Sequence, residues 1–284
     1  TEGEWRQTMF YDASRFVEII EGGRDDRTHA IVVMTPPESR RILAKGMVVL
    51  PEIQRSLDKG LVVVCRGITT AYVVEELLGI TLDKANCTAG IVTDGILGST
   101  NPDQPLGPWV IRDGQLSEQS MGDAMAEVTA QDVVVKGVNA LDSLGNVGVL
   151  SGNNMGGTVG DVWPIAMARG AHLITPVGLE KLVPSVAEAA RTSGQELYQY
   201  VMGGKVGLVP IMNAAVVTEV EALAMLGGVE ATLVAAGGVA GSEGSVVMSL
   251  AGSDERVRDT FELVKSAKGE PVLDVPNLWP AVVS

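Results

Sequence analysis

The chain has 284 residues and a formal net charge of −14, and 46% of its residues are hydrophobic while only 4% are aromatic. A chain of this length can bury roughly three quarters of its unfolded surface, so it can form a sizeable core without disulfides or metals. The acidic balance argues against a nucleic-acid partner, because such binding depends on Lys and Arg side chains that neutralise phosphates.

Cysteine usage and hydropathy narrow the class of protein further. Cys65 and Cys87 are too few for a disulfide framework. No apolar run reaches the ~18 residues that a membrane-spanning helix needs, and no signal peptide opens the sequence. We therefore expect a cytoplasmic protein with no membrane partner. Small β-branched residues and 34 glycines favour buried parallel strands joined to helices by tight turns, which predicts an α/β fold.

Hydrophobic periodicity and turn signals predict the following elements in the first part of the chain, in which residues 1–60 are the least regular. In chain order they are helices at 34–46 and 50–60, a buried strand at 61–65, a helix at 69–79, short strands near 90–93 and 109–112 within a long loop region, a helix at 121–129, and strands at 132–137 and 144–150.

The remaining elements follow the glycine-rich stretch 151–157. In chain order they are a helix at 158–170, a strand at 171–178, a helix at 185–204, a strand at 205–212, a helix at 218–226, strands at 230–236 and 245–251, a helix at 253–269 and a final strand at 270–275. The helix at 218–226 carries a capping box, in which Glu221 stands three positions after Thr218.

Two domains are expected from this order of elements. Residues 1–204 predict a Rossmann-like domain, with an open, mostly parallel sheet and helices on both faces. Residues 205–284 predict a ferredoxin-like α+β domain and a C-terminal tail, because the order β-α-β-β-α-β is typical of that fold.

Two strand–turn–helix units have glycine at the turn, where a helix N-terminus offers unpaired N–H groups to an anion at the carboxyl edge of the sheet. In the first, Arg66 could add a forked charged contact; the alternative is a capped helix beside a surface arginine. The second is the loop 151–161, whose alternative role is a plain turn. The candidate ligand-binding residues of the two units are Arg66, Gly67, Thr69, Thr70, Gly152, Asn153, Asn154, Gly156, Gly157 and Thr158.

A third group of polar residues follows the strand 132–137. Lys136, Asn139 and Asp142 are expected at the same edge, where a lysine beside an acid can neutralise an anion or move a proton. A surface salt bridge is the alternative. Asp161, which has capping-box spacing from Thr158, completes the candidate catalytic set of Lys136, Asp142 and Asp161, while Asn139 joins the ligand-binding set. The spacing of Cys, His and acidic residues predicts no transition-metal site, and we expect no cofactor.

The segments "VVVCRGITTAYVVEELLG" and "DVVVKGVNALDSLGNVGVLSGNNMGG" resemble the first strand–loop–helix unit and the acidic segment with its glycine loop in the ribose-5-phosphate isomerase group. The related coenzyme A transferases have a similar run, matched by Gly145-Asn146, Met155-Gly156-Gly157 and Asp161. The resemblance covers about residues 60–180. It departs from the isomerase pattern at three positions, where Lys136 and Asn139 replace acids and Ser151 replaces a lysine. It therefore implies a scaffold and a pocket position more than an activity.

The sequence thus predicts a divergent member of the isomerase/coenzyme A transferase-like superfamily that binds a small anionic metabolite of the sugar phosphate or acyl-coenzyme A type. If it is an enzyme, we expect isomerase-like or transferase-like chemistry. The alternative is a non-catalytic regulatory or assembly protein that binds such a ligand. A homo-oligomer is expected, with a dimer favoured.

Overall fold

A computed structural model of the chain describes residues 9–20, 23–100 and 106–275. The helices of these residues are α1 (Pro36–Val48), α2 (Pro51–Asp58), α3 (Ile68–Leu78), α4 (Met121–Glu127), α5 (Thr158–Arg169), α6 (Val186–Arg191), α7 (Glu219–Gly227) and α8 (Asp254–Ser266). The strands are β1 (Thr28–Met34), β2 (Leu61–Val64), β3 (Gly90–Thr93), β4 (Ile96–Ser99), β5 (Trp109–Arg112), β6 (Gln115–Ser117), β7 (Val133–Val135), β8 (Ala140–Leu141), β9 (Val147–Ser151), β10 (His172–Pro176), β11 (Gly207–Ile211), β12 (Ala215–Val217), β13 (Glu230–Gly237) and β14 (Ser245–Gly252).

A six-stranded sheet forms the centre of the molecule, with the strand order β12-β10-β7-β2-β5-β6. The first four strands are parallel to one another, whereas β5 and β6 run antiparallel. Every side chain of β2 and β7 is buried, so both faces of the sheet are covered. One group of helices contains α1, α3 and α7, which pack through α1; a second contains α4 and α5. The chain is therefore a mixed α/β protein with a mixed parallel and antiparallel sheet.

A second sheet, with the order β1-β14-β13, joins the two ends of the described chain. All its pairs are antiparallel, and Val33 of β1 lies opposite Val247 of β14. The sequence did not predict β1, which lies in the stretch interpreted as least regular. This sheet crosses the division at residue 204, because β1 comes from the first predicted domain and its partners come from the second.

The ferredoxin-like arrangement is not confirmed. The strand predicted at 205–212 forms as β11, but β11 pairs with β9 in a small sheet that also contains β8. Residues 270–275 form no strand, so that prediction is wrong. The predicted helix at 185–204 is also too long. It ends at Arg191, and Gly194 then approaches Gly207 so closely that a Cβ on Gly207 would lie 3.3 Å from the Gly194 Cα.

Candidate functional site

The four parallel strands of the central sheet end at one edge, which we call the carboxyl edge. Here β2 leads through Cys65, Arg66 and Gly67 into α3, and β12 leads through Thr218 into α7. Lys136 follows β7, and a short 3-10 helix, Leu179–Lys181, follows β10. Open α/β sheets bind their ligands at this edge.

The N-terminus of α3 has no side-chain cap. Gly67 is the N-cap residue, and its extended backbone leaves the first N–H groups of an eleven-residue helix without a side-chain acceptor. The Thr70 hydroxyl shares its hydrogen between the Cys65 carbonyl at 2.7 Å and the Gly67 carbonyl at 3.0 Å. Arg66 donates from Nη2 to the Gly107 carbonyl at 2.8 Å, while its buried Nε has no partner in the described part of the chain. Thr70 thus stabilises the turn, and the Arg66 Nε–H group is available to donate a hydrogen bond to a ligand.

Lys136 lies beside this turn and is 5% exposed. Its ammonium group donates to the Gly137 carbonyl at 2.9 Å and to no other group among the described residues. Burial lowers the pKa of Lys136, and the nearby Cys65 thiol offsets this only in part. The turns after β2 and β7 are in contact, since a Cβ on Gly137 would lie 3.6 Å from the Thr70 methyl carbon. An ammonium has three donors, so two remain available to a ligand.

The glycine-rich loop is organised by one asparagine. The Asn153 side-chain oxygen accepts the Met155 N–H at 2.8 Å and the Gly157 N–H at 3.4 Å, and the Ser151 hydroxyl donates to the Asn153 carbonyl at 3.1 Å. Gly156 and Gly157 adopt φ angles of 82° and 59°, which favour glycine. Gly157 is the N-cap of the twelve-residue helix α5 and has no capping side chain. The loop thus presents a second glycine-initiated helix N-terminus.

The buried Cys65 thiol shows that these segments converge. Burial raises the pKa of Cys65 to about 11; the charge of Lys136 lowers it and that of Asp161 raises it. Asp161 lies in the first turn of α5, so α5 begins near the ends of β2 and β7.

The remaining predicted ligand-binding residues differ in exposure. Asn154 and Gly152 are exposed, Thr158 is half-buried and Thr69 is buried.

Asn139 and Asp142 serve the backbone of their own region. The Asn139 side-chain oxygen accepts the Leu150 N–H at 3.0 Å. The Asp142 carboxylate accepts N–H groups of Leu144, Asn146 and Val186, together with the Asn146 side-chain amide, at 3.0–3.1 Å. Burial acts to raise the pKa of Asp142, but these hydrogen bonds outweigh it and the pKa is lowered. A carboxylate with both oxygens occupied in this way is suited to holding a turn.

Three further charged residues at the carboxyl edge were missed by the sequence analysis. Lys181 donates from Nζ to the Val138 carbonyl at 3.0 Å, and burial lowers its pKa. Glu219 is 0% exposed; its Oε2 accepts the Leu179 N–H at 2.9 Å, while its Oε1 has no partner in the described residues. The buried Oε2 of Glu180 also has none.

Glu219 has an unusual protonation equilibrium. Burial is the main cause that raises its pKa, to about 7, and the charge of Glu180 adds to it. The hydrogen bond from the Leu179 N–H lowers the pKa only in part. The sequence does contain a signal for Glu219, because "VVTE" places an acidic residue directly after a parallel strand. The capping box that begins at Thr218 explained these residues as a helix start, so no functional role was predicted.

Within the described ranges, no three His, Cys, Asp or Glu side chains come close enough to hold a metal ion. Over the same residues, no helix is long and apolar enough to cross a membrane. Comparisons with protein-family models, with curated proteins and with solved structures found no match to this chain.

Proposed function

We propose that this protein binds a small anionic metabolite, of the sugar phosphate or acyl-coenzyme A type, at the carboxyl edge of the six-stranded sheet. The observation that carries the proposal is the buried ammonium group of Lys136, which has a single acceptor among the described residues. It lies near Cys65, close to the uncapped N-terminus of α3, and the first turn of the uncapped helix α5 lies within electrostatic range of the same thiol. Burying an ammonium costs free energy unless it is paired. A phosphate or carboxylate at this position would accept the two unused ammonium hydrogens.

The helices add a directional contribution to this site. Each N-terminus carries a partial positive charge from the aligned peptide dipoles, which stabilises an anion by about 0.3–1 kcal/mol. The free Nε of Arg66 is a further donor on the same turn. Asp161 is exposed in the first turn of α5 and weakens the field there, so we assign the anion to the α3 side of the edge.

The proposed scaffold is the Rossmann-like sheet of the ribose-5-phosphate isomerase and coenzyme A transferase-like superfamily, in a cytoplasmic homodimer. If the bound ligand is converted, Lys136 and Asp161 remain the working groups of the predicted set. Glu219 joins them, because a carboxyl group with a pKa near 7 can both give and take a proton at neutral pH.

One observation favours the alternative of a non-catalytic ligand-binding protein. Asp142 matches an acid of the isomerase segment, and its carboxylate is fully occupied by hydrogen bonds from its own turn and from the Val186 N–H. Binding at Lys136 does not require Asp142, so a sensor that recognises the anion without converting it uses the same geometry.

Titration calorimetry and thermal shift with ribose 5-phosphate, acetyl-coenzyme A and inorganic phosphate test the proposal. A ligand at a hundredfold excess over its Kd stabilises the fold by about 2.7 kcal/mol. We expect Lys136→Met to fold and to lose this stabilisation, because methionine keeps the volume and removes the charge. Lys59→Met, at an exposed lysine without a side-chain partner, is the matched control. Lack of binding by the wild-type chain, or unchanged binding by Lys136→Met, would contradict the proposal.

A further inference from the structure

A cavity of about 250 Å³ lies at the opposite edge of the central sheet, where the strands begin. Its walls include the first residues of β10 and the start of β12, together with Tyr11, Glu52 and Asn213. Five residues of β10 separate the two edges, a distance of about 16 Å at the usual rise per residue. The cavity is thus separate from the anion site proposed above.

Polar groups with unused hydrogen-bonding capacity line this cavity. Glu52 accepts the Tyr11 hydroxyl at Oε2, at 3.2 Å, while its Oε1 makes no hydrogen bond within the described residues. The carboxylate takes part in no ion pair of those residues. Over the same described residues, the ring nitrogens of His172 have no hydrogen-bond partner, and the Asn213 side chain makes only a weak contact, to the Met167 sulfur at 3.7 Å.

A helix C-terminus adds to the negative character of the wall. The twelve-residue helix α5 ends at Arg169, and Gly170, with a φ angle of 74°, closes it at the cavity. The last carbonyl groups of a helix carry a partial negative charge and favour cations. Arg169 is directed away from the cavity, since it donates to the Val128 carbonyl, whereas Arg15 contacts the cavity wall through the Tyr11 hydroxyl.

We propose that this amino-edge cavity binds a small primary ammonium compound, with the ammonium group on the free oxygen of Glu52. A ring nitrogen of His172 and the Asn213 side-chain oxygen supply acceptors for the remaining N–H groups. The volume equals that of about eight water molecules in the liquid, which suits a short aliphatic amine. An anion would meet the carboxylate and the helix C-terminus, and no cation of the described residues forms an ion pair with Glu52.

Calorimetry on the full chain with n-butylammonium, 1-butanol and butyrate separates charge from shape, because the three probes share the same alkyl chain. We expect n-butylammonium to bind at least tenfold more tightly than 1-butanol, and butyrate not to bind. Glu52→Gln keeps an acceptor for Tyr11 and removes the charge, and we expect it to weaken ammonium binding at least tenfold. Glu196→Gln, at an exposed glutamate without a side-chain partner, is the matched control and should bind as the wild type does.

Two results would overturn the inference. One is equal affinity for n-butylammonium and 1-butanol, which would mean that the positive charge does not contribute to binding in the cavity. The other is unchanged ammonium binding by Glu52→Gln. If Glu52→Gln does not fold, His172→Ala serves instead, since it removes one acceptor from the same wall; a wild-type affinity in that variant would also overturn it.

Discussion

Buried charges in this protein are paired in two different ways, and the difference separates structural residues from candidate functional ones. Arg41 of α1 donates to Glu75 at 2.8 Å, to Glu76 at 2.9 Å and to Glu270 at 2.5 Å. Its guanidinium group also stacks over the Tyr72 ring, 4.7 Å from the centroid. By contrast, Lys136 and Glu219 each retain unused hydrogen-bonding capacity. A buried charge whose hydrogen-bonding groups are all paired, such as Arg41, is typical of a structural contact, which we call the Arg41 clamp. A buried charge with unpaired groups is typical of a residue that binds a ligand or exchanges a proton.

Replacing Arg41 by alanine tests the clamp. The side chain is 16% exposed, and removing one partner from a buried ion pair costs about 3–5 kcal/mol. We expect Arg41→Ala to lower the free energy of unfolding by about 3 kcal/mol in urea titrations. Arg258→Ala is the control, because its ion pair with Asp254 is exposed and such pairs contribute about 0–1 kcal/mol. Equal losses in the two variants would contradict the assignment.

Glu219 gives the protein a defined pH dependence. Its pKa is about 7 in the folded state against 4.5 for the ordinary side chain. Between these values the folded chain holds the proton and the unfolded chain releases it, so stability falls as pH rises through this window. The loss amounts to about 3 kcal/mol, at 1.36 kcal/mol per pKa unit.

The variant Glu219→Gln tests this dependence, because glutamine mimics the protonated form at every pH. We expect it to equal the wild type in stability near pH 4.5 and to exceed it at pH 8, as measured by urea unfolding across the range. A pH dependence of stability in Glu219→Gln that matches the wild type would show that Glu219 is not the titrating group.

At the scale of single elements, sequence patterns succeeded where local signals set both ends. Helix α7 begins at the predicted capping box, in which the Glu221 carboxylate accepts the Thr218 N–H, and ends at left-handed Gly228. The predicted short strands near 90–93 and 109–112 are confirmed as β3 and β5. The patterns failed where contacts between residues far apart in the sequence accompany the end of an element. The helix that starts at Val186 ends at Arg191, and Gly194 then packs against Gly207, a contact that no local pattern shows.

The same limit applies to the candidate site. The positions of Gly67, Lys136 and Gly157 at strand ends and helix starts could be predicted, because each lies beside its own element. The commitment of Asp142 to the Val186 N–H could not, since the two residues belong to separate segments. The partnerless oxygen of Glu219 likewise depends on how α1 and the segment after β10 pack around it.

The glycine loop before α5 offers a test at this scale. A Cβ on Gly160 would lie 2.1 Å from the Met155 carbonyl oxygen, so Gly160→Ala forces the loop to move. We expect lower thermal stability and loss of the anion binding proposed at the carboxyl edge. Gly90→Ala is the control, because nothing lies within 4 Å of its Cβ position and its φ angle lies outside the left-handed range. Wild-type melting and binding in Gly160→Ala would show that the loop conformation is not required.

For the whole molecule, the decisive contacts join opposite ends of the chain. Strand β1 pairs along its full length with β14, and α1 packs so closely on α7 that a Cβ on Gly46 would lie 2.7 Å from the Ala222 Cβ. Neither contact has a local sequence signature, because the residues that meet lie about 175 to 220 positions apart in the chain. The sequence therefore placed a division at residue 204 in a chain whose sheets and helices pack across it.

A chain ended after residue 204 tests how far the two parts depend on each other. Without residues 205–284, β1 loses its only strand partner among the described residues, and the apolar face of α1 loses α7. Unpaired strand edges and exposed apolar surface promote aggregation. We therefore expect the 1–204 chain to be insoluble or to melt without a cooperative transition in circular dichroism. Co-expression with residues 205–284 should restore a soluble complex with the far-ultraviolet spectrum of the intact chain. A cooperative, soluble 1–204 chain would instead establish the first predicted domain as an independent folding unit, with β1 dispensable for its core.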